Sequence, residues 1–533
     1  MDALVVFILL MPLVAASAIG IGHLFGFISG EAGESMTADI AIWAISMSSL
    51  LALTLLGADL LGKNTGSYNV GHWLDSDTLD VQVNFITSGF NVRLAALFSV
   101  LLAIVIRFSI DYMHREAGYH RFFFILSLFA FAMLLLVLSG NAVGTFIGWE
   151  IAGVCSYFLI AYAYDRPVAA ANATRVFVTN RIGDAGFILG VGLSYAWVDS
   201  VNWGTINDAL VQLSPGEATA IALCFAVAAF AKSAQLPFTP WLARAMEGPT
   251  PSSAVFYGAV MVHAGVYLII LLRPVFEHAP LAMAVVAIVG LTTAVYAFLV
   301  GLTQTDVKSS LIFATSGQLG LMFMECGLGF WRLAAWHLCA HAVVRGYQFL
   351  AAPSLMHNVR DLSVDTSKRK ASAAAHSHRH RRVGDVPAWV YVASLQRFWL
   401  DQITDWALVK PVRGLAHDLS YFDDHIVDRV MGAPAPAIWV ISSLAKLEEQ
   451  MIGARLDNES DKFAQGSGLA GKLTEWTAAL LHWFEDRFVL RGIGKGAINY
   501  GRELGHIANK FEQSVLRPRY LVLFVCITLL VAF

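Results

Sequence analysis

Apolar runs of about 20 residues recur along most of this chain, and they constrain its fold more than any other feature. A run of that length matches an α-helix that crosses a lipid bilayer. Inside a bilayer every backbone polar group needs a partner within the protein, so such runs fold as helices. Apolar residues make up 57% of the chain and charged residues only 14%, which excludes an ordinary soluble domain. The sequence therefore predicts an all-α polytopic membrane protein.

The apolar runs predict about twelve transmembrane helices. Their approximate positions are 2–26, 37–62, 88–110, 121–140, 142–164, 172–197, 216–236, 252–272, 279–301, 309–329, 332–356 and 517–533. The first run has no basic segment before it and no clear cleavage site, so we expect a retained span. Basic residues concentrate in the loops after the third, fifth, ninth and eleventh runs. This bias predicts that those loops are cytoplasmic and that the N-terminus lies outside.

Composition divides the chain into five predicted parts. Residues 1–87 hold the first helices and an external loop, and residues 88–356 form the main membrane core. Residues 357–388 are polar and basic, include the run HSHRHRR, and predict a flexible cytoplasmic linker. Residues 389–516 show amphipathic helical patterns, which are typical of helices that lie on a membrane face or pack against a partner. Residues 517–533 predict a last transmembrane helix.

A lysine lies inside the apolar run AFAKSAQLPF, where Lys232 would sit at membrane depth. A charge at that depth is costly, and it usually faces the bundle interior or a water-filled cavity on an ion path. Prolines follow closely, and prolines break helices whose freed backbone groups then need protein or water partners. These prolines are Pro237, Pro240, Pro249 and Pro251. The stretch therefore predicts a proton or ion path beside broken helices.

Several other predicted spans also contain ionisable residues. They are Glu150 in the fifth span, Arg181 and Asp184 in the sixth, His263 in the eighth, and His337, His341 and Arg345 in the eleventh. The last three stand at i, i+4 and i+8, so they share one helix face. Burial and neighbouring charges shift the protonation of such groups, and histidines exchange protons near neutral pH. We expect a lateral chain of titratable groups in which Glu150 is the charge partner of Lys232.

Structural alternatives exist for some of these residues. Arg181 and Asp184 stand at i and i+3, and their pairing can simply stabilise a helix. His263 can equally be a hydrogen-bonded histidine of the core. His337 and His341 have the spacing of a zinc-binding helix, but the segment HLCAH lacks the glutamate of HExxH and a third ligand. No metal site is predicted in this chain, and the glycines of GDAGFILGVG are interpreted as helix-packing contacts.

The segments that carry these residues resemble the antiporter-like subunits of respiratory complex I, of the NuoL type, and the related Mrp antiporter subunit. The matching segments are FIGWEIAGVCSYFLI, FVTNRIGDAGF, KSAQLPFTPWLARAMEGPTPSSA, MVHAGVYLI, QTDVKSSLIFATSGQLGLMF and HLCAHAVVRGYQFL. The resemblance covers about residues 88–356. It implies that Glu150 and Lys232 are the family's glutamate–lysine pair, that Arg181 and Asp184 are the adjacent charges, and that His337 and His341 are the central-axis histidines.

The chain departs from the pattern of this family in three respects. Arg345 stands where the family has a central lysine, and a guanidinium does not readily lose its proton. Tyr257 stands where the family has a histidine in the broken helix, and His263 replaces a small polar residue. The family has two inverted five-helix repeats, each with a broken helix and a lysine. Here the second repeat stops after the eleventh span, and the resemblance returns only from about residue 486.

A NuoL-like chain with a truncated second repeat is similar to the DabB family, the membrane subunits of two-component inorganic-carbon pumps. The resemblance implies a DabA-like cytoplasmic partner that contains zinc and resembles carbonic anhydrase. It also implies that protons or Na⁺ flow through this chain to drive the conversion of CO2 to bicarbonate on that partner. We expect a transporter subunit without enzymatic activity or a cofactor of its own, in the lipid bilayer of the bacterial inner membrane, with no nucleic-acid partner.

Two alternative functions follow from the same resemblance. The chain can be a proton-pumping NuoL-like subunit of respiratory complex I, or a subunit of an Mrp-type cation/proton antiporter. Both alternatives need a full proton or ion relay across the membrane. The shortened second repeat counts against such a relay. A scaffold without transport is disfavoured by the ionisable residues at membrane depth. A zinc-containing soluble partner would indicate the carbon pump, whereas iron–sulfur and quinone-binding partners would indicate complex I.

Overall fold

The structure is a computed structural model that describes residues 1–75, 80–209, 213–352, 388–423 and 425. We number its helices and strands in chain order. The helices are α1 Leu4–Leu24, α2 Glu34–Leu60, α3 Gly89–Tyr112, α4 Tyr119–Leu138, α5 Ala142–Ile160, α6 Pro167–Val198, α7 Trp203–Asp208, α8 Pro215–Lys232, α9 Pro240–Arg244, α10 Thr250–Ser253, α11 Ala264–Leu271, α12 Arg273–Glu277, α13 Pro280–Gly301, α14 Val307–Gly327, α15 Trp331–Ala351, α16 Ala388–Leu395, α17 Leu400–Thr404 and α18 Lys410–Phe422. The two strands are β1 Ser67–Asp75 and β2 Asp80–Ile86.

Nine helical segments within the described ranges are long and apolar enough to cross a membrane. They contain α1 to α6, α8, α13 and the broken segment Thr250–Leu271. The helices α14 and α15 have 21 residues each but carry more polar side chains. The predicted polytopic helical fold is confirmed, and eleven of the twelve predicted spans coincide with these segments. The twelfth, at 517–533, lies outside the described residues.

Helix α4 lies at the centre of the first half of the bundle. Its sequence is apolar on every side, and all of its residues except Arg121 are buried. A helix that is apolar all round is typical of a position surrounded by other helices, and α4 packs against α1, α2, α3 and α5. A side chain on Gly148 of α5 would begin 2.6 Å from the Ala132 carbonyl oxygen. The glycine therefore permits the close contact between α4 and α5.

The bundle has two chemically distinct ends. At the hairpin end, β1 and β2 form an antiparallel hairpin, and Asn141 at the start of α5 donates a hydrogen bond to the Gln82 carbonyl, 2.6 Å away. At the basic end, Arg166 pairs with Glu247, and Lys308 donates a hydrogen bond to Thr250. This opposite end contains the loops whose positive charge predicts a cytoplasmic location.

The hairpin is a departure from the predicted all-α fold. Its second strand alternates apolar and polar residues in VQVNFI, with Val81 and Phe85 buried. This period of two is typical of a strand with one buried face. The sequence predicts an external loop here, and the segment is too short and too polar to span a membrane.

Two segments interrupt the helices of the second half, as the prolines predict. Helix α8 ends at Lys232, and Ala234 two residues later has a φ of 51°, outside the helical region. The following span passes from α10 through a π-helix at Ala254–Ala259 and a 3₁₀ turn at Met261–His263 into α11. Its backbone leaves the helical region at Val260. The expectation of broken helices is therefore confirmed.

Residues 1–409 lie in one compact unit, and a second unit begins at Lys410. The segment of α16, α17 and the π-helical turn Asp405–Val409 belongs to the first unit, and we call residues 388–409 the strap. Within the second unit the structure describes one helix, α18. Its exposed Leu415, Leu419 and Phe422 recur at helical spacing, which makes α18 amphipathic. Most of the predicted linker and of the region 389–516 lies outside the described residues.

Candidate functional site

Two carboxylates from α5 and α6 form ion pairs with one arginine in the membrane part of the bundle. The Arg181 guanidinium contacts the Glu150 carboxylate through Nη1, and its Nε lies 3.1 Å from Asp184 Oδ2. The two carboxylate side chains are only 20% and 5% exposed. The forked guanidinium suits this role because it can bond two carboxylates at once. The predicted Arg181–Asp184 pair is present, and Glu150 joins it.

Lys232 ends α8 and is 1% exposed. Its Nζ donates a hydrogen bond to the Trp149 carbonyl oxygen, 3.1 Å away, and lies 4.8 Å from the centre of the Trp149 ring. The indole Nε1 of Trp149 in turn donates to Asp184 Oδ1 at 2.8 Å. Trp149 therefore links Lys232 to Asp184.

Glu150 and Lys232, which the sequence predicts to be charge partners, form no direct ion pair among the described residues. Among the described residues the Glu150 carboxylate bonds Arg181, and Lys232 has no carboxylate at ion-pair distance. The Arg181 Nη2 and the Lys232 Nζ each lie 3.5 Å from the point where a side chain on Gly153 would begin. The head groups of Arg181 and Lys232 thus face the same small space. We refer to Glu150, Arg181, Asp184 and Lys232 as the charge cluster.

Side chains stabilise the break in the chain that follows Lys232. The Ser233 hydroxyl donates to the Val262 carbonyl at 2.6 Å, and the Trp241 indole donates to the Ala231 carbonyl at 2.8 Å. Such partners replace the helical hydrogen bonds that a break removes. A side chain on Gly265 would begin 2.3 Å from the Ser233 hydroxyl oxygen, so the two broken helices touch at this point.

His263 and His341 form a hydrogen-bonded pair inside the bundle. His263 Nε2 lies 2.9 Å from His341 Nδ1, so one ring donates and the other accepts. Both residues are buried, His263 completely. The outer nitrogens, His263 Nδ1 and His341 Nε2, have no hydrogen-bond partner among the described residues. Buried polar atoms normally have hydrogen-bond partners. The described contacts of His263 therefore do not match the alternative of a fully hydrogen-bonded core histidine.

His337 continues the histidines of α15 towards the hairpin end. Its ring centre lies 6.4 Å from that of His341. Its Nδ1 lies 3.0 and 3.2 Å from the two carboxylate oxygens of Glu325, and its Nε2 lies 2.8 Å from Gln318 Oε1. Neither Glu325 nor Gln318 is among the site residues predicted from the sequence. Glu325 could have been found, since it is a charged residue within the predicted tenth span.

Tyr257 and Arg345 lie in the two segments that pack around the histidine pair, the π-helix and α15. Tyr257 is fully buried, and its hydroxyl has no partner among the described residues. The Nε of Arg345 likewise has none there. A side chain on Gly258 would begin 3.0 Å from the Arg345 carbonyl oxygen, so the two segments touch. No hydrogen bond that the structure describes connects Tyr257 or Arg345 to the histidine pair.

The predicted residues therefore fall into two groups. The charge cluster lies on α5, α6 and α8, and the histidine stripe of His263, His341 and His337 lies between the broken span and α15. The Ser233 bond to Val262 joins the groups, because each partner is adjacent in sequence to Lys232 or His263. The described part of the chain contains no direct hydrogen bond from Lys232 to a histidine. Proton transfer between the charge cluster and the histidine stripe therefore needs water or side-chain movement.

The glycines of α6 pack as the sequence predicts. Side chains on Gly183, Gly186 and Gly190 would begin 2.3, 2.8 and 3.0 Å from atoms of α8. A side chain on Gly192, in contrast, would begin with no atom within 4 Å. The first three glycines allow α6 and α8 to approach closely, and this contact sets Arg181 and Asp184 beside Lys232.

Comparison with known families supports the resemblance. The family model described as "NADH:quinone oxidoreductase/Mrp antiporter, TM" matches residues 139–371. The model described as "NADH-Ubiquinone oxidoreductase (complex I), chain 5 N-terminus" matches residues 73–123. The first match contains the whole charge cluster and the histidine stripe.

Individual relatives agree with these matches. The NAD(P)H-quinone oxidoreductase chain 5 of Picosynechococcus sp. is 36% identical over 358 residues, which cover 66% of this chain and 54% of the relative. The NADH-quinone oxidoreductase subunit L of Neisseria meningitidis is 34% identical over 371 residues, which cover 66% of this chain and 55% of the relative. The chain thus spans about half the length of these curated relatives.

Solved structures show the same fold. A chain of the Mrp complex from Dietzia sp. matches 64% of this chain with a TM-score of 0.57 and 27% identity, over 37% of its own length. A chain of the archaeal membrane-bound sulfane sulfur reductase has the same fold, with a TM-score of 0.54 and 20% identity, over 65% of this chain and 70% of its own. This chain is therefore a multi-span membrane protein with an antiporter-like fold that is similar, over residues 73–123 and 139–371, to the membrane subunits that include complex I chain 5 and Mrp subunits.

Proposed function

We propose that this chain is the proton-conducting subunit of a multi-subunit membrane assembly. The observation that carries the proposal is Lys232, which is 1% exposed at the end of a broken transmembrane helix. Buried carboxylates lie nearby, but an arginine bonds them and Lys232 has no direct ion pair among the described residues. A buried lysine held by a carbonyl oxygen and an aromatic face can gain or lose its proton when its surroundings change.

The cluster suggests a switch with two arrangements. In the arrangement described here, Arg181 pairs with Glu150, and Lys232 has no direct ion pair among the described residues. If Arg181 moves away from Glu150, the carboxylate can approach the ammonium past Gly153 and favour the protonated lysine. When Arg181 returns, the proton leaves Lys232 for an imidazole of the histidine stripe. The transfer converts an ammonium and a neutral imidazole into a neutral amine and an imidazolium.

Proton uptake by reconstituted protein tests this proposal. The full chain, purified with its accompanying subunits, is placed in vesicles that contain a pH-sensitive dye, and a membrane potential is imposed. We expect Lys232→Met to slow uptake at least about tenfold, which corresponds to ~1.4 kcal/mol on the barrier. The matched control is Lys63→Met, because Lys63 is exposed after α2. A Lys232→Met variant that assembles normally and conducts at the wild-type rate would contradict the proposal.

As a finer assignment we propose the DabB type of function, in which this subunit drives inorganic-carbon uptake with a DabA-like zinc protein in the bacterial inner membrane. Its support is the pair of departures at Arg345 and in the second repeat, which in sequence stops after α15. The similarity to complex I chain 5 and to an Mrp complex supports the alternative, a respiratory or antiporter subunit, more strongly. Both assignments use the same charge cluster.

Two measurements separate these assignments. Affinity purification identifies the partner as a soluble zinc protein or as iron–sulfur and quinone-binding subunits. Expression with the partner in a host without carbonic anhydrase then tests growth at ambient CO2. We expect rescue by the wild type and none by Lys232→Ala or Glu150→Gln. Co-purification of iron–sulfur and quinone-binding subunits, together with no growth at ambient CO2 in cells that express the wild type, would support the complex I or Mrp assignment instead.

A further inference from the structure

Glu325, His337 and Gln318 form a polar group on α14 and α15 that stands apart from the charge cluster. Both ring nitrogens of His337 face oxygen atoms, with Glu325 on one side and the Gln318 amide on the other. The carboxylate can only accept while ionised, so it favours a proton on Nδ1. The amide can turn to accept from Nε2 or donate to it. His337 can therefore be neutral or charged without losing either hydrogen bond.

This group lies near the hairpin end of the bundle. There Asn84 of β2 donates a hydrogen bond to Asn202 just before α7. Asn207 of α7 donates to the Leu271 carbonyl just before α12. Glu325 is two residues before the end of α14, and Gly327 at that end packs against the Met283 carbonyl near the start of α13. The Arg273 guanidinium of α12 lies 6.0 Å from the ring centre of Trp331, which begins α15. His341 is one turn deeper along α15 than His337, about 6 Å. The order from the interior to the end of the bundle is thus the histidine pair, His337 and Glu325.

Exposure is higher in the outer group than in the histidine pair, although Glu325 is less exposed than His337. His263 is fully buried and His341 is 7% exposed, whereas the side chains of Glu325 and His337 are 12% and 18% exposed. A carboxylate that pairs with a histidine can take up a proton from it and release that proton to water. Such a group is suited to the end of a proton path.

We propose that Glu325 is the terminal proton acceptor and donor of the histidine stripe at the hairpin end. This inference rests on the proposed proton conduction. A proton that reaches His337 makes an imidazolium, and its Nδ1–H bond breaks as an O–H bond forms on Glu325. The products are a neutral imidazole and a carboxylic acid, and the acid releases the proton to water at the hairpin end. Proton entry from that side follows the same steps in reverse.

A purely structural role for Glu325 makes a different prediction. In Glu325→Gln the amide oxygen can still accept the hydrogen bond from His337 Nδ1, so a packing or anchoring role survives. The amide cannot take up a proton, so a relay role is lost. Glu325→Asp keeps a proton-exchanging group and should restore most of the rate. Glu277→Gln is the control, because Glu277 is a half-exposed glutamate on α12 that pairs with Arg273.

The test is proton uptake by the full chain with its accompanying subunits in dye-loaded vesicles. We expect Glu325→Gln to slow uptake on the order of tenfold or more, Glu325→Asp to recover it and Glu277→Gln to match the wild type. His337→Gln should slow uptake to a similar degree. The double variant Glu325→Gln/His337→Gln should be no slower than either single variant.

The outcomes distinguish this inference from the proposed function. Wild-type uptake by an assembled Glu325→Gln variant overturns the role of Glu325, whatever Lys232→Met does. Slow uptake by Glu325→Gln beside normal uptake by Lys232→Met supports Glu325 as the end of the path and overturns the role of Lys232. If Glu325→Gln does not assemble, the uptake rate of His337→Gln takes its place. Wild-type uptake by His337→Gln then overturns the inferred path end, and slow uptake supports it.

Discussion

At the scale of single residues, Arg181 determines the electrostatics of the site. It bonds Glu150 and Asp184 and faces the same space as Lys232 beside Gly153. When all four residues are ionised, their charges sum to zero, which lowers the cost of burying them. Sequence spacing showed the Arg181–Asp184 pair because both lie on α6. It could not show that Glu150 bonds Arg181, since that contact depends on the packing of α5 against α6.

Loss of Arg181 should destabilise the fold and stop conduction. Arg181→Gln leaves two buried carboxylates without the guanidinium, and we expect a loss of roughly 2 kcal/mol of stability, below the value for a completely buried pair. Thermal unfolding of the detergent-solubilised protein measures the effect. The control Arg273→Gln removes a half-exposed pair with Glu277 and should change stability by less than about 1 kcal/mol. Equal melting temperatures for both variants would contradict the bridging role.

The hairpin has a pH-sensitive contact of its own. The His72 Nδ1 lies 2.7 Å from Asp80 Oδ1, and hydrogen bonds from His72 and Gln82 lower the pKa of Asp80 below its usual value. A lowered carboxyl pKa stabilises the folded hairpin above the unfolded pKa, and this stabilisation is lost as the pH falls through the folded value. We expect faster amide exchange of residues 67–86, after correction for intrinsic rates, only at acidic pH.

The variant Asp80→Asn provides the control for that measurement. It removes the titrating group, so the corrected exchange of the hairpin should no longer change as the pH falls. A wild-type hairpin whose corrected exchange is the same at acidic and neutral pH would show that the Asp80 contacts do not stabilise it.

At the scale of elements, the sequence predicted the helices well and the hairpin not at all. Long apolar runs determine helices because a bilayer leaves few other structures. The break after Lys232 was predictable because prolines follow it. The π-helix at Ala254–Ala259 was not, because it depends on packing between Gly258 and α15. Glu325 could be recognised as a charged residue in a predicted span, but its hydrogen bond to His337 depends on how α14 packs against α15.

The contact between α4 and α5 offers a direct test of the packing. Gly148→Ala places a methyl group 2.6 Å from a backbone oxygen of α4, so the helices must separate. We expect a loss of about 1–3 kcal/mol, the usual effect of overpacking. Gly192→Ala is the matched control, because its methyl group meets no atom within 4 Å and alanine favours a helix. Thermal unfolding should show a lower melting temperature for the first variant only.

The strap connects the basic end of the bundle to the broken helix of Lys232. Arg175 of α6 pairs with Asp405 at 2.7 Å, and Arg244 of α9 pairs with Asp401 at 3.2 Å. The Thr404 hydroxyl also donates to the Pro237 carbonyl at 3.4 Å, within the segment after Lys232. The strap is therefore attached by both ion pairs and a hydrogen bond to the first unit.

We expect removal of the ionic contacts to loosen the strap without unfolding the bundle. In Asp401→Asn/Asp405→Asn, both ion pairs are lost, each worth up to about 1 kcal/mol at this exposure. Limited proteolysis should then cleave residues 388–409 several-fold faster, while α1 to α6 stay protected. The control Asp111→Asn breaks an exposed pair with Arg107 on α3. Equal cleavage rates in both variants would show that the ion pairs do not retain the strap.

At the scale of the whole molecule, one charge cluster and one histidine stripe lie in the same bundle, and the matched family has the same fold. The family could be recognised from motifs because the charged and proline-rich segments are distinctive. The kind of assembly depends on the partner subunits, which motifs in a single chain do not identify. The chain also spans about half the length of its curated relatives.

The most direct test of the central claim is a double-mutant cycle on the rate of proton uptake in vesicles. The four proteins are the wild type, Glu150→Gln, Lys232→Met and the double variant, each with its accompanying subunits. If Glu150 and Lys232 act as one switch, each single variant should lose most of the rate and the double variant should be no slower than the slower single variant. Wild-type rates in both single variants, at equal assembly, would contradict the account.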